Sequence, residues 1–231
     1  MKQKYKPLTA VIASMAMIAA GHAATIITTD GFNLGTATDN WGATASWTQG
    51  QWSLSQTTSG GGRVVVGNPM GYGGQPGDLN DGAPVEGTPQ AGDGQAQFSN
   101  GGNPNFTAAS ITDTVGHTFS VGDQVTMLFY LAGRAAGTAA ATLGVSLVGA
   151  DTISLGSFTA TQGDNTWVLT TSSTATITTA GIYNVQFAYG NAPDDVDRTT
   201  YLDSVSYSVI PEPSAALLGG LGMLALLRRR R

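Results

Sequence analysis

Few residues in this 231-residue chain have side chains suited to covalent chemistry. Cysteine is absent, which excludes a thiol nucleophile, thiolate metal ligation and any disulfide framework. One of the two histidines, His22, lies in the leading segment, so the body keeps only His117, in Gly116-His117-Thr118-Phe119. A serine hydrolase needs a base beside a serine raised on a sharp turn, and no Gly-x-Ser-x-Gly occurs. His117 therefore reads as a turn or strand-edge residue. One histidine without cysteine is also a poor start for zinc, which takes three or four protein ligands. Glycoside hydrolysis needs two carboxylates across a cleft, and the body has a single glutamate, Glu86, so aspartates would have to pair through the fold. This inventory points to a chain without catalysis of its own, with a polysaccharide-acting hydrolase as the alternative.

Binding chemistry is better provided for. Calcium takes six to eight oxygens, often from aspartates and carbonyls on loops. Asp78-Leu79-Asn80-Asp81-Gly82 and Asp194-Asp195-Val196-Asp197 offer such oxygens, though neither completes an EF-hand pattern, and both also fit solvated turn carboxylates. Sugar recognition uses exposed aromatic faces with polar groups at the hydroxyls. Trp41, Trp47 and Trp52 stand six and five residues apart, a spacing that cannot place all three on one strand face, so at least one belongs in the core. Arg134 ends an apolar run, where it either pairs with an aspartate to hold a loop or enters a ligand groove. Trp41 and Arg134 are the candidate ligand contacts.

Charge is segregated along the chain. Lys2, Lys4 and Lys6 are all the lysines, and Arg228, Arg229, Arg230 and Arg231 are four of the seven arginines. Residues 24–209 keep three arginines against fourteen carboxylates, a net charge of −11. Such a body repels nucleic acid and anionic lipid, and attracts divalent cations. The basic start, the apolar run Leu8 to Ala20 and the small residues around Gly21-His22-Ala23 read as a secretory signal over 1–23, cut after Ala23 by signal peptidase. The far end has three pieces in order: Pro211-Glu212-Pro213, an uncharged Leu/Ala/Gly-rich run over 214–227, and the arginine block 228–231. The prolines cannot continue a helix, and the apolar run seeks lipid or a core. Arg228, Arg229, Arg230 and Arg231 resist crossing a bilayer and act as the cytoplasmic stop. Fourteen helical residues span only about 21 Å against a hydrocarbon core of ~30 Å, which suits a transient anchor better than a permanent one. A permanently anchored periplasmic protein is the competing reading.

Between these ends the chain shows short alternating runs rich in Thr, Val, Ser and aromatics, broken by Gly, Asn and Asp. Strands are expected near Thr25–Thr29, Ala45–Ser55, Gly62–Val66, Gln95–Ser99, Ala108–Asp113 and Gln124–Ala132. Others are expected near Ala139–Val148, Thr152–Thr159, Thr166–Thr178, Ile182–Tyr189 and Thr200–Val209. On the last, strict alternation puts Tyr201, Asp203, Val205 and Tyr207 on one face. Eleven strands at this spacing predict an all-β fold, an antiparallel two-sheet sandwich of jelly-roll type over 24–209. Residues 67–105 are dense in Gly, Pro, Asn and Asp and read as a long irregular loop.

The terminal triplet, short apolar span and arginine cluster together resemble the PEP-CTERM sorting signal. That resemblance implies a partner enzyme, an exosortase, which cuts near Pro211-Glu212-Pro213 and passes the protein outward to the cell surface or exopolysaccharide matrix. The body is similar to galactose-binding-like jelly rolls. The likeness rests on Gly92-Asp93-Gly94-Gln95, on Phe129-Tyr130-Leu131-Ala132-Gly133-Arg134, and on Leu202-Asp203-Ser204-Val205-Ser206. It implies an extracellular polysaccharide as partner and Ca²⁺ as a structural ion. Because terminal strands lie side by side in such domains, it also implies that Asp30 and Asp203 share a metal site. Ser204 stands where that family often has Asn.

Overall fold

The computed structural model describes residues 24–28, 32, 45–49, 51–57, 63–67, 95–106, 108–134, 139–161, 166–191, 195–212 and 228. Among them are fourteen strands: β1 (Thr25–Thr28), β2 (Ala45–Gln49), β3 (Trp52–Thr57), β4 (Arg63–Gly67), β5 (Gln95–Ser99), β6 (Ala108–Asp113), β7 (His117–Phe119), β8 (Gln124–Gly133), β9 (Thr142–Gly149), β10 (Thr152–Thr159), β11 (Val168–Thr171), β12 (Ala175–Thr176), β13 (Gly181–Tyr189) and β14 (Thr199–Ile210). They form two antiparallel sheets. The first runs β11-β8-β14-β5-β4, with β1 beside β14 and β12 beside β8. The second runs β10-β9-β13-β6-β3-β2, with β7 beside β13. The chain crosses between sheets after β1, β3, β5, β7, β8, β10, β12 and β13, so the non-local pairings of a two-sheet sandwich hold the body together.

Alternation explains the core. On β9 and β13, residues Leu143, Val145, Leu147, Val185 and Phe187 point inward and are buried, while their neighbours are half-exposed. Phe98, Val125, Met127, Phe129 and Leu131 face them from the first sheet. At the centre Phe129 meets Phe158 and Phe187, each ring pair 5.3 Å apart and tilted 79°, an edge-to-face geometry that aromatic quadrupoles favour. Among the described residues Trp52 is a core tryptophan, fully buried against Phe32 at 4.6 Å.

Three expectations are corrected. The run Ala45–Ser55 is two strands, because a turn at Gln51 sends β3 back along β2. The run Thr166–Thr178 is also two short strands, both on β8 but at different ends of it. Most consequential, Tyr201, Asp203, Val205 and Tyr207 do not share a face. Asp203 stands opposite Tyr130 and Ser206 opposite Leu128, so β14 holds one extra residue, a β-bulge at which Ser204 adopts φ +48°. The bulge reverses the alternation: Leu202, Val205 and Tyr207 join the core, and Tyr201 and Asp203 take the other face. His117–Phe119 is a further strand, continuing the line of β6 along β13. Within 67–105, β5 forms as expected and is buried along its whole length, while 68–94 lie outside the described residues.

The β9–β10 turn is tied to β13 by one carboxylate. Tyr183 shares its O–H between Asp151 Oδ1 (2.6 Å) and the Thr179 carbonyl (2.7 Å), and Thr178 Oγ1 donates to Asp151 Oδ2 (3.1 Å). The phenol hydrogen bond holds the Asp151 carboxyl below its ordinary range, and burial, reinforced by Asp151, pushes Tyr183 up to about 12. A depressed carboxyl contributes stability above its unfolded pKa and loses it as pH falls through the folded value. A raised phenol contributes below its unfolded pKa and loses it as pH rises through the folded one. These two groups thus add stability between about pH 4 and pH 10. Tyr183→Phe should move the Asp151 carboxyl up toward the ordinary carboxylate range and remove the alkaline loss, the first read by carboxyl ¹³C NMR and the second by denaturant midpoints across pH.

Candidate functional site

The two outer faces of the sandwich differ. On the first sheet, Gln95, Gln97, Ser99, Thr199, Tyr201, Asp203 and Ser206 are all buried. The second sheet presents an open face. Its outward residues follow from register. Thr48, Ser53, Thr112, Gln186, Ser146 and Ser154 are successive cross-strand partners over β2, β3, β6, β13, β9 and β10. At about 4.8 Å between strands, this row carries hydroxyls and one amide for roughly 24 Å. The next row is Ser55, Ser110, Ala188, Gly144 and Ser157. The small Ala and Gly positions lower the surface in the middle. A shallow depression of about 190 Å³ lies there, lined by Ser55, Ala108, Ala109, Ser110, Gln186, Ala188 and Tyr189.

The face is partly pre-ordered. Gln186 Nε2 donates to Thr112 Oγ1 at 3.1 Å, and Thr142 and Thr159 share a hydroxyl hydrogen bond at 2.7 Å beside the second row. Among the described outward side chains of these six strands none is charged and none is aromatic. Such a surface donates and accepts neutral hydrogen bonds over a long track. Its described outward side chains offer no group for ion pairing, and the one ring at the depression, Tyr189, is largely buried.

The residues singled out from sequence lie elsewhere. Arg134, just past β8, pairs with Asp197 at 3.4 Å at the end of the sandwich where β14 begins, the loop-holding alternative. Asn100 secures the same loop: its Nδ2 donates to the Val196 carbonyl, and its Oδ1 accepts the Gly102 and Arg198 amides. Asp203 is buried on the first sheet, its Oδ1 accepting the Ser204 amide at 2.6 Å. β1 does pair with β14, Thr28 standing opposite Ser206, so the terminal strands lie side by side. Asp30, Trp41, Glu86, Asp78, Asp81, Asp194 and Ala23 lie outside the described residues, as do Pro213, Arg229, Arg230 and Arg231. Of the arginine block only Arg228 is described, and it is helical and exposed. Among the described residues no group of three His, Asp or Glu side chains is placed to hold a metal, and no helix is long and apolar enough to cross a membrane.

His117 faces inward. Its Nε2 is 3.7 Å from Asp113 Oδ2, and its ring lies 4.8 Å from that of Tyr207. Burial, with the Asp113 charge behind it, pushes the Tyr207 phenol up. The described partners of this imidazole are thus a carboxylate and a phenol ring. The hydroxyl-amide face was invisible in sequence terms, because Ser, Thr and Gln at alternate positions are the ordinary solvent side of any strand; only register joins them.

No protein-family model matches the chain, and no curated protein matches it. Solved structures similar to it include a Stig cyclase from Fischerella sp. TAU, at 13% identity over 86% of this chain and 94% of that one, with a TM-score of 0.43. Others are a family 29 carbohydrate-binding module (11%, 75% and 92%, 0.36) and the C-terminal CBM6 of LamC, a marine laminarinase from Zobellia galactanivorans (13%, 50% and 79%, 0.34). At these scores the likenesses transfer no function.

Proposed function

We propose that this chain is an exported, non-enzymatic protein of the cell surface or exopolysaccharide matrix whose sandwich binds a neutral polysaccharide along the open face of its second sheet. The observation that carries the reading is the uncharged hydroxyl-amide row across six strands, from Thr48 to Ser154. A polyhydroxylated chain exchanges hydrogen bonds with such a surface without desolvating any ion, which is the costly step in polar burial. Export is supported by the signal-like residues 1–23. Delivery is supported by Pro211-Glu212-Pro213, the apolar run 214–227 and the block Arg228-Arg229-Arg230-Arg231, which together resemble a substrate of an exosortase.

Native affinity electrophoresis tests the binding. Neutral glucans or galactans in the gel should retard the protein, uronic-acid polymers should not, and Gln186→Ala should weaken the retardation. Equal mobility in every neutral gel sinks the proposal. Delivery is tested by intact mass of the protein from its host, with and without the sorting enzyme. Loss of the residues beyond about Pro213 only when the enzyme is present supports the sorting reading, and retention of Arg231 in both cases makes the tail a plain anchor.

A further inference from the structure

The position of the tail on the sandwich bears on how the precursor meets the membrane. β14 stays paired to its last residue, Ile210 opposite Gln124, and Pro211 follows at once. The Glu212 amide then donates to Asp123 Oδ1 at 3.3 Å, while Asp123 Oδ2 accepts the Ser120 amide at 2.8 Å. The chain is thus pinned to the β7–β8 turn two residues beyond the strand. The uncharged run begins at Ser214, two residues later, which is at most about 7 Å of extended chain. β1 starts at the same end, Thr25 opposite Val209, so the apolar run ahead of it joins the body there too.

Exposed apolar side chains gather around this exit. Of the eight large hydrophobic residues exposed among the described ones, Val115, Val121, Ile182 and Ile210 belong to it. Val121 lies in the turn that holds Glu212. Ile182, 64% exposed, opens β13 opposite Thr118 and lies close over Gly116, next to Val115. The charges nearby are the carboxylates of Asp123, Asp151 and Glu212. The described arginines of the body, Arg63, Arg134 and Arg198, belong by register to the far end, beside Ser99, Gly133 and Thr199. An end with exposed aliphatics and carboxylates, the described arginines of the body standing at the far end, does not suit an anionic surface. It suits zwitterionic headgroups, whose ammonium groups complement the carboxylates.

We infer that this end of the sandwich docks on a zwitterionic lipid surface, Val115, Val121, Ile182 and Ile210 seating in the headgroup region. Residues 211–213 then lie at the membrane plane and not on a free stalk. The inference rests on the reading that 214–227 enters a bilayer.

The absence of cysteine gives a clean test. Single variants Val115→Cys, Val121→Cys and Ile182→Cys of the full chain are labelled with an environment-sensitive fluorophore in phosphatidylcholine–phosphatidylethanolamine vesicles. Asn105→Cys reports the far end, and Ala216→Cys reports the tail. Doxyl-labelled lipids should quench 115, 121, 182 and 216 at least twofold and leave 105 unchanged. Quenching at 216 with 115, 121 and 182 still in water overturns the docking and spares the tail reading. No quenching at 216 overturns both. A blue shift at 115, 121 and 182 that persists in detergent and is insensitive to doxyl lipid assigns the patch to a second copy or another protein, and also overturns the inference.

Discussion

Phe129→Ala should lower the stability of the sandwich by about 3–5 kcal/mol, the usual cost of removing a buried phenylalanine. The ring is fully buried at the middle of β8 and is the point where the first sheet grips the second. Its edge-to-face contacts reach Phe158 on β10 and Phe187 on β13, so truncation opens a cavity that neither sheet can close without sliding across the other. Each aromatic pair adds roughly 0.5–1.5 kcal/mol beyond area burial, so Phe129→Leu should recover most but not all of the loss. Urea unfolding measures both variants. A fall for Phe129→Ala below about 1.5 kcal/mol would mean that the two sheets are joined mainly elsewhere.

Ser110→Glu should reduce neutral-polysaccharide binding at least about tenfold, roughly 1.4 kcal/mol, with little change in the unfolding midpoint. Ser110 lies in the depression, half-exposed, opposite Ser55 on one side and Ala188 on the other. A carboxylate there would have to be stripped of water beneath a ligand that offers no counter-charge. Ser110→Ala, which loses one hydroxyl among many, should bind within a few-fold of the parent. The two measurements together separate charge from a lost hydrogen bond. If Ser110→Glu binds like the parent while binding itself is real, the ligand lies off this face.

The sandwich was legible in sequence because its signal is local. Alternation of period two needs only neighbours in the chain, so β6, β10 and β5 take the bounds read from sequence, and Arg134 paired with a carboxylate is one of the two roles its position left open. Errors arose where alternation runs through a reversal or a bulge. The Gln51 turn leaves the pattern of flanking residues almost unchanged, and a serine at φ +48° carries no mark in sequence that glycine would have supplied. That single residue moved Val205 and Tyr207 away from Asp203.

Composition and order alone determined an all-β body, a chain without thiol chemistry and a strongly negative net charge between its basic ends, since each depends only on which residues are present and in what order. Tertiary structure decided what the polar residues do together. Thr48, Ser53, Thr112, Gln186, Ser146 and Ser154 span more than a hundred positions of chain, and only the hydrogen-bond register of six strands sets them in one row. Likewise only the pairing of β14 with β8 sets Glu212 on the turn at Asp123, because strand register is a long-range property that no local pattern encodes.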